Sequence, residues 1–282
     1  MTRPIEVETA SEATLRPYER AFNDLDHKYN RERFDPRPGD EFYLHLVDLK
    51  RALRPRLEQA HGSWLDFGAG RSPYGRWMSG TDLRYADFPS DEGFAAELDY
   101  VLEPGRPCPA PDAEFDGILS TQVLEHVDDP RAYLEDAFRM LKPGGQLLLT
   151  THGIWEDHPC PLDLYRWTQQ GLGHDVGAVG FEVAECLPLT CGVRGLLQQL
   201  TLEMDKLRWR DRSIGPTGRY FGVNGLLLGA LRLYARRQPQ ALHRYADRAF
   251  AADSVGQEGN QGIYLGLMIT AVRPRQGGAA AG

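Results

Sequence analysis

Lysine and cysteine are both scarce in this chain. Lys28, Lys50, Lys142 and Lys206 are the only lysines among 32 basic residues, and there are 4 cysteines. The arginine excess is read as genome composition, without functional weight. Acidic residues outnumber basic ones, 40 to 32, for a formal net charge of −8. No basic surplus remains to displace counterions, which argues against sequence-independent nucleic-acid binding. Cys108, Cys160, Cys186 and Cys191 form no CxxC pair and have no histidine at zinc-finger spacing. Neither a disulfide framework nor a structural zinc is expected, and a reducing cytoplasm is the default compartment. Met1 to Thr14 holds no apolar stretch of signal-peptide type. The longest apolar run, Tyr220 to Leu231 between Arg219 and Arg232, falls short of the roughly 20 residues that cross a bilayer. No transmembrane segment is expected, though this run suits a peripheral membrane contact. No internal repeat is visible. What is present is ordinary globular material, 282 residues with 41% hydrophobic and 26% charged. A chain of that length buries roughly 75% of its unfolded surface, enough for one large core or a core with an added lobe.

Residues 1–60 read as N-terminal helices. Ser11 to Tyr29 is polar with a thin apolar stripe, and Asp40 to Ala60 sets Leu46, Leu49, Leu53 and Leu57 on one helical face. Over 61–189 the period changes. Short apolar runs bounded by Gly, Pro and Asp appear at Ser63–Phe67, Gly80–Leu83, Leu98–Leu102, Phe115–Ser120, Gln146–Thr151 and Phe181–Leu189, with a seventh at Ile263–Val272. Pro130 to Leu141 reads as a helix between them, with Asp129 as its cap and Pro143-Gly144-Gly145 as its stop. Strands alternating with helices imply an α/β fold around a mostly parallel sheet covered on both faces. Residues 190–262 depart from the alternation. Helices are expected around Leu196–Met204, Gly225–Arg237 and Pro239–Phe250, forming a helical insertion that suits homodimer contact. Residues 263–273 supply the final strand and 274–282 a flexible Gly/Ala-rich tail.

The first strand runs into Asp66-Phe67-Gly68-Ala69-Gly70-Arg71-Ser72-Pro73. Glycines directly after a strand let the backbone approach a ligand and expose amides at a helix start. A dinucleotide motif needs a third glycine where Pro73 stands, and its ribose-binding acid about 20 residues on. A nicotinamide oxidoreductase is therefore the weaker reading. Asp66 before the glycines would repel a diphosphate but welcome an ammonium or sulfonium. Asp82, placed at the end of the second strand beside Leu83, suits two ribose hydroxyls, and Asp99-Tyr100 suits an adenine. Each acid has an alternative as a plain helix or turn cap.

Taken together, Asp66-Phe-Gly-Ala-Gly70, Gly80-Thr-Asp-Leu83, Phe115-Asp-Gly-Ile-Leu-Ser-Thr-Gln-Val-Leu-Glu-His126 and Leu141-Lys-Pro-Gly-Gly-Gln-Leu147 resemble the successive motifs of class I S-adenosylmethionine-dependent methyltransferases, of the type 11/23-like subset. The resemblance covers Leu57 to Leu189 and Ile263 to Pro274. It implies a Rossmann-like seven-stranded sheet with the last strand reversed, S-adenosyl-L-methionine as cofactor, and methyl transfer as activity. It implies also that Asp66, Gly68 and Gly70 line the methionine end, Asp82 takes the ribose, Asp99 and Tyr100 the adenine, and Thr121, Gln122 and Val123 close the pocket.

Groups for the acceptor side should come from loops above the fourth and fifth strands, where His126, His152 and His158 sit. In some relatives of this fold a Glu-x-x-Glu-His run binds a divalent metal. Here Gln122 replaces its first carboxylate, so no metal is expected, and His126 reads as pocket wall or as catalyst. The segment His158-Pro-Cys-Pro-Leu-Asp163-Leu-Tyr165-Arg166-Trp167-Thr168 resembles a His-x-x-Pro-x-Asp-x-Tyr-Arg-x-Thr element of some of these methyltransferases, several of them tied to glycan or natural-product tailoring. It offers His158 as general base, Asp163 to orient it and Arg166 to grip substrate. The alternative is a fold element in which Asp163 pairs with Arg166 and Thr168 caps the next helix. His27, His45, His61, His174 and His243 read as surface or structural, and Cys160, between two prolines, as structural with a reactive thiol as the alternative. The expected reaction is O-methylation of a small-molecule, sugar or lipid-linked acceptor. The competing reading is a non-catalytic cofactor-binding partner subunit of the same fold.

Overall fold

The computed structural model describes residues 28–89, 98–158, 162–213, 239–257, 259 and 262–275. The expected helix at Gly225–Arg237, the apolar run Tyr220–Leu231, Cys160, residues 276–282 of the tail and most of Ser11–Tyr29 lie outside them.

Helix α1 (Lys28–Phe34) leads into α2 (Tyr43–Leu57). The core of the chain is one seven-stranded sheet: β1 (Gly62–Phe67), β2 (Thr81–Asp87), β3 (Tyr100–Val101), β4 (Phe115–Thr121), β5 (Leu141–His152), β6 (Glu182–Cys191) and β7 (Tyr264–Val272). Its order is β3-β2-β1-β4-β5-β7-β6, with β7 antiparallel to both neighbours and the other pairings parallel. A reversed β7 between β5 and β6 departs from the 3-2-1-4-5-6 order of dinucleotide folds. The nicotinamide reading loses its support there.

Helix α3 (Pro130–Met140) follows the expected chemistry, with Pro130 in the first turn and Asp129 accepting from the Ala132 amide at 3.0 Å. Helix α4 (Gln169–Ala178) is capped by Thr168, which accepts from the Gly171 amide at 3.0 Å. On one face of the sheet Leu134, Met140, Leu172 and Val176 pack on Phe115, Leu147 and Ile269. On the other, Leu49, Leu53 and Leu57 of α2 pack with Trp64, Trp77, Leu83 and Leu148. Each such side chain contributes roughly 1.5–3 kcal/mol on full burial, and burial on both faces explains why the central strands read as continuous apolar runs.

Helices α5 (Gly192–Ser213) and α6 (Pro239–Ala249) appear where the sequence places them. They pack back onto α2 through Arg194, whose guanidinium is fully buried. It donates to Asp48 at 2.6 and 2.7 Å and to Asp247 at 2.9 Å. No helix among the described residues is long and apolar enough to cross a membrane.

Candidate active site

All the parallel strands end on one rim, and its central stretch gathers buried polar side chains. β1 delivers Asp66, which is 2% exposed. Ser72 donates to Asp66 Oδ2 at 2.5 Å, while Asp66 Oδ1 is buried without a partner. Burial pushes the Asp66 carboxyl up to about 7. Gly68 follows with φ +78°, and a Cβ there would lie 2.6 Å from a methyl of Val123. Only glycine fits under Val123 in that conformation. Gln122 holds φ +56°, an uncommon conformation for a side-chain-bearing residue, and its amide donates to Thr150 O of β5 at 2.9 Å. Its side-chain Nε2 donates to Thr150 Oγ1 at 3.1 Å, and its Oε1 is buried and unpaired. So Asp66, Gly68, Gly70, Thr121, Gln122 and Val123 do converge.

Asp82 and Leu83 do not join them. Asp82 pairs in register with Ser63 at the opposite end of β1, and its side chain is 67% exposed. Leu83 points into the core beneath α2. The reason is strand length. β2 does not stop at Leu83 but continues four residues to Asp87, whose register partner lies beyond Phe67. The acid at the rim is thus Asp87. Its Oδ2 accepts from the Gly70 amide at 2.5 Å and its Oδ1 from Phe88 N at 2.7 Å. Burial raises its carboxyl above the ordinary value, against the lowering by those two amides.

Asp99 and Tyr100 are displaced for the same reason. Asp99 precedes β3 and accepts from the Tyr85 amide at 2.8 Å, one pleat short of the rim. Tyr100 turns into the core edge-on to Phe115, and its hydroxyl accepts from Arg84 at 3.0 Å. Sequence reasoning missed Asp87 and the half-exposed Phe88 beside it. The available signal was spacing, since Asp87 lies 17 residues after Gly70, near the usual interval of about 20.

Above β4 and β5 stands a cluster of imidazoles. His152 ends β5 and is buried, stacked on Trp155 at 4.8 Å and edge-on to His158 at 4.9 Å. His126, in a short 3-10 turn after β4, lies edge-on to His158 at 5.0 Å. The unexpected member is His45 of α2, wholly buried 4.7 Å from Trp155 and 5.5 Å from His152, with neither ring nitrogen bonded. Gly266, opposite His152 on β7, leaves room for it, since a Cβ there would come within 3.0 Å of the His45 ring. Burial drives the His45 ring down to about 3, and those of His126 and His152 below their ordinary value, so all three favour the neutral form. Among the five histidines read as surface or structural, His243 is buried as well, its Nδ1 accepting from the Gly39 amide at 3.0 Å.

Beneath the rings lies Glu125, fully buried, with Oε2 accepting from Thr151 Oγ1 at 2.8 Å and Oε1 bonded to nothing. Burial lifts its carboxyl to about 7. The loop that carries His158 is braced by Asp163 and Arg166, which meet at 2.5 and 2.6 Å. Asp163 also accepts from His158 N at 2.9 Å, and the Arg166 hydrogen bond holds its carboxyl well below the usual range. Arg166 spends its other donors on Glu156 O and Tyr165 O at 2.9 and 2.7 Å. A substrate grip by Arg166 is therefore not what the geometry supports. It is a brace.

A family model described as "Methyltransferase domain" matches residues 40–185, just over half of the chain. Among curated proteins, a ubiquinone biosynthesis O-methyltransferase of Parvibaculum lavamentivorans is 33% identical over 112 residues, covering 36% of this chain and 43% of that protein. One of the same description from Xanthomonas axonopodis pv. citri is 30% identical over 128 residues, covering 40% of this chain and 53% of its own length. The chain thus spans about half, or less, of these relatives. Among solved structures, the [4+2]-cyclase SpnF aligns with a TM-score of 0.50 at 18% identity, over 86% of both chains, and is alike in fold. With its sheet order, its strand-end acids and this match, the chain belongs to the class I S-adenosylmethionine-dependent methyltransferases.

Proposed function

We propose that the chain transfers the methyl group of S-adenosylmethionine to an oxygen of a small-molecule, sugar or lipid-linked acceptor held over the imidazole cluster. The observation that carries this reading is the buried, unpaired Oδ1 of Asp66 beside the glycine turn. An unpaired buried carboxyl oxygen costs about 1–3 kcal/mol or more, and the cofactor's ammonium is the group that would satisfy it. Asp87, with a lone pair left on each oxygen, would accept from the ribose hydroxyls. The Gly68–Gly70 backbone and Thr121–Val123 would enclose the amino-acid end. Bound there, the cofactor supplies a methyl already activated by its sulfonium.

The chain's own task is then alignment and proton removal. An acceptor hydroxyl must approach in line at about 3–3.5 Å. In His126, Nδ1 is engaged by Leu162 O at 2.5 Å, and in His158 by Glu156 O at 3.1 Å, so both offer Nε2 to that proton. His152 and His45 wall the site with Trp155. Asp163 and Arg166 act by positioning His158. The oxygen preference draws support from the two relatives named as O-methyltransferases. A cytoplasmic setting and a homodimer through 190–262 belong to the same reading.

The test is acceptor-dependent formation of S-adenosylhomocysteine by the purified chain, across phenols, free sugars and polyprenyl-linked glycans. Turnover with a hydroxyl acceptor and none with its methyl ether supports the reading. Cofactor binding without turnover on any of them would favour the non-catalytic partner subunit.

A further inference from the structure

The groups around His152 form more than a wall for an acceptor. Glu125, His152 and His158 each present a ligand atom within 4.8 Å of the other two. His152 Nε2 and Glu125 Oε1 stand 3.4 Å apart. Two ligands each about 2.0–2.2 Å from a tetrahedral ion are separated by about that distance. Glu125 Oε1 is buried with no hydrogen-bond partner, an arrangement that leaves a carboxylate oxygen unsatisfied unless something positive meets it.

The shell around the three is also in place. His158 Nδ1 faces Glu156 O at 3.1 Å and Asp163 Oδ2 at 3.2 Å, which fixes the ring and leaves Nε2 as its ligand atom. A carboxylate behind a histidine is the usual device for orienting a metal-bound imidazole. Glu125 is held in turn by Thr151.

We propose that Glu125, His152 and His158 bind one divalent transition-metal ion of the zinc class, with open positions facing the acceptor. The sequence expectation of no metal rested on Gln122 in place of a carboxylate. β5 answers that loss by ending on His152, a ligand from a different element. The ion would take the acceptor's oxygen and lower its proton affinity, leaving His126 as the imidazole that receives the proton. This rests on the reading above only in placing an acceptor over the cluster.

The test uses the full chain, stripped with a chelator and dialysed, then titrated with cobalt(II) chloride and separately with zinc chloride. The expected result is one cobalt per chain with visible d–d absorption, displaced by zinc. His158→Gln, in a half-buried loop, should weaken zinc binding at least tenfold with an unchanged circular dichroism spectrum. Asp163→Asn, behind the ligand, should weaken it about 10–100-fold. Absence of stoichiometric binding, or equal affinity in His158→Gln and the parent, overturns the site. So does full methyl transfer by the stripped protein in chelator, which would leave the methyltransferase reading intact. Stoichiometric ion binding with no turnover on any acceptor would sustain the site and sink that reading instead.

Discussion

On the β1–β2 side of the rim the unsatisfied groups are single oxygens set among backbone amides, whereas the β4–β5 side is packed with rings braced by an ion pair. Asp66 Oδ1 waits without a partner beside glycines whose amides reach Ala86 and Asp87. Across Gln122, four histidines and a tryptophan stack within 4.7–5.5 Å, and Asp163 with Arg166 fixes the loop above them. The first side suits a ligand that brings its own positive charge and hydroxyl donors. The second suits a ligand that must be oriented and deprotonated. The two sides of one rim thus differ in kind, with carboxyl oxygens beside glycine amides on one and braced rings on the other.

The sharpest way to break this division is at Asp87. Hydrogen bonds to a charged group are worth about 1.5–3 kcal/mol each, so Asp87→Ala should weaken cofactor binding at least about 100-fold by calorimetric titration. Asp82→Ala, on the far end of β2, should leave it within about twofold. Equal losses in both would dissolve the distinction between the strand's two ends.

Asp66→Asn should weaken cofactor binding about 10–100-fold and remove a pH dependence. With its carboxyl raised to about 7, Asp66 is protonated in acid, so parental affinity should fall as pH drops from 8 to 6. Stability has the opposite sign. The folded value exceeds the unfolded one, near 3.9, so the unfolded chain releases the proton first and the empty protein loses stability as pH rises from about 4 to 7. Thermal melts of parent and Asp66→Asn should therefore converge in acid and separate toward neutrality.

Gly68→Ala should cost about 1–3 kcal/mol of stability, because its Cβ meets Val123 at 2.6 Å and its φ is +78°. Adding Val123→Ala should restore part of that loss and leave the backbone strain. The smallest effect belongs to the other side. Arg166→Met should cost about 2 kcal/mol or less, since that ion pair is partly solvated. The contribution is present above the unfolded value of Asp163 and fades as pH falls toward its lowered folded value, which acid melts can follow.

Much of this was legible in the residues. Seven apolar runs, the Asp129 and Thr168 caps, the Leu46–Leu57 stripe and the glycine turn all appear where physical chemistry puts them. Asp82 misled because Arg84 interrupts the apolar run of β2. Its neighbours Leu83 and Tyr85 are buried, while Asp82 and Arg84 sit at least partly in solvent, Arg84 meeting Glu114 at 3.1 Å. That is edge-like alternation in a strand read as ending. Once β2 is four residues longer, the rim acid changes and Asp99 falls behind it. His45 was invisible for another reason. On α2 it is one more position of a buried stripe, and only packing across 107 residues of chain brings it to His152.

The central claim is that one cofactor joins the two sides. A crystal structure of the chain with S-adenosylhomocysteine tests it most directly. The ribose hydroxyls should lie on the Asp87 carboxylate, the ammonium on Asp66 Oδ1 and the sulfur facing His126 and His158. A nucleoside lying along Asp82, or a sulfur turned away from the imidazoles, would contradict it.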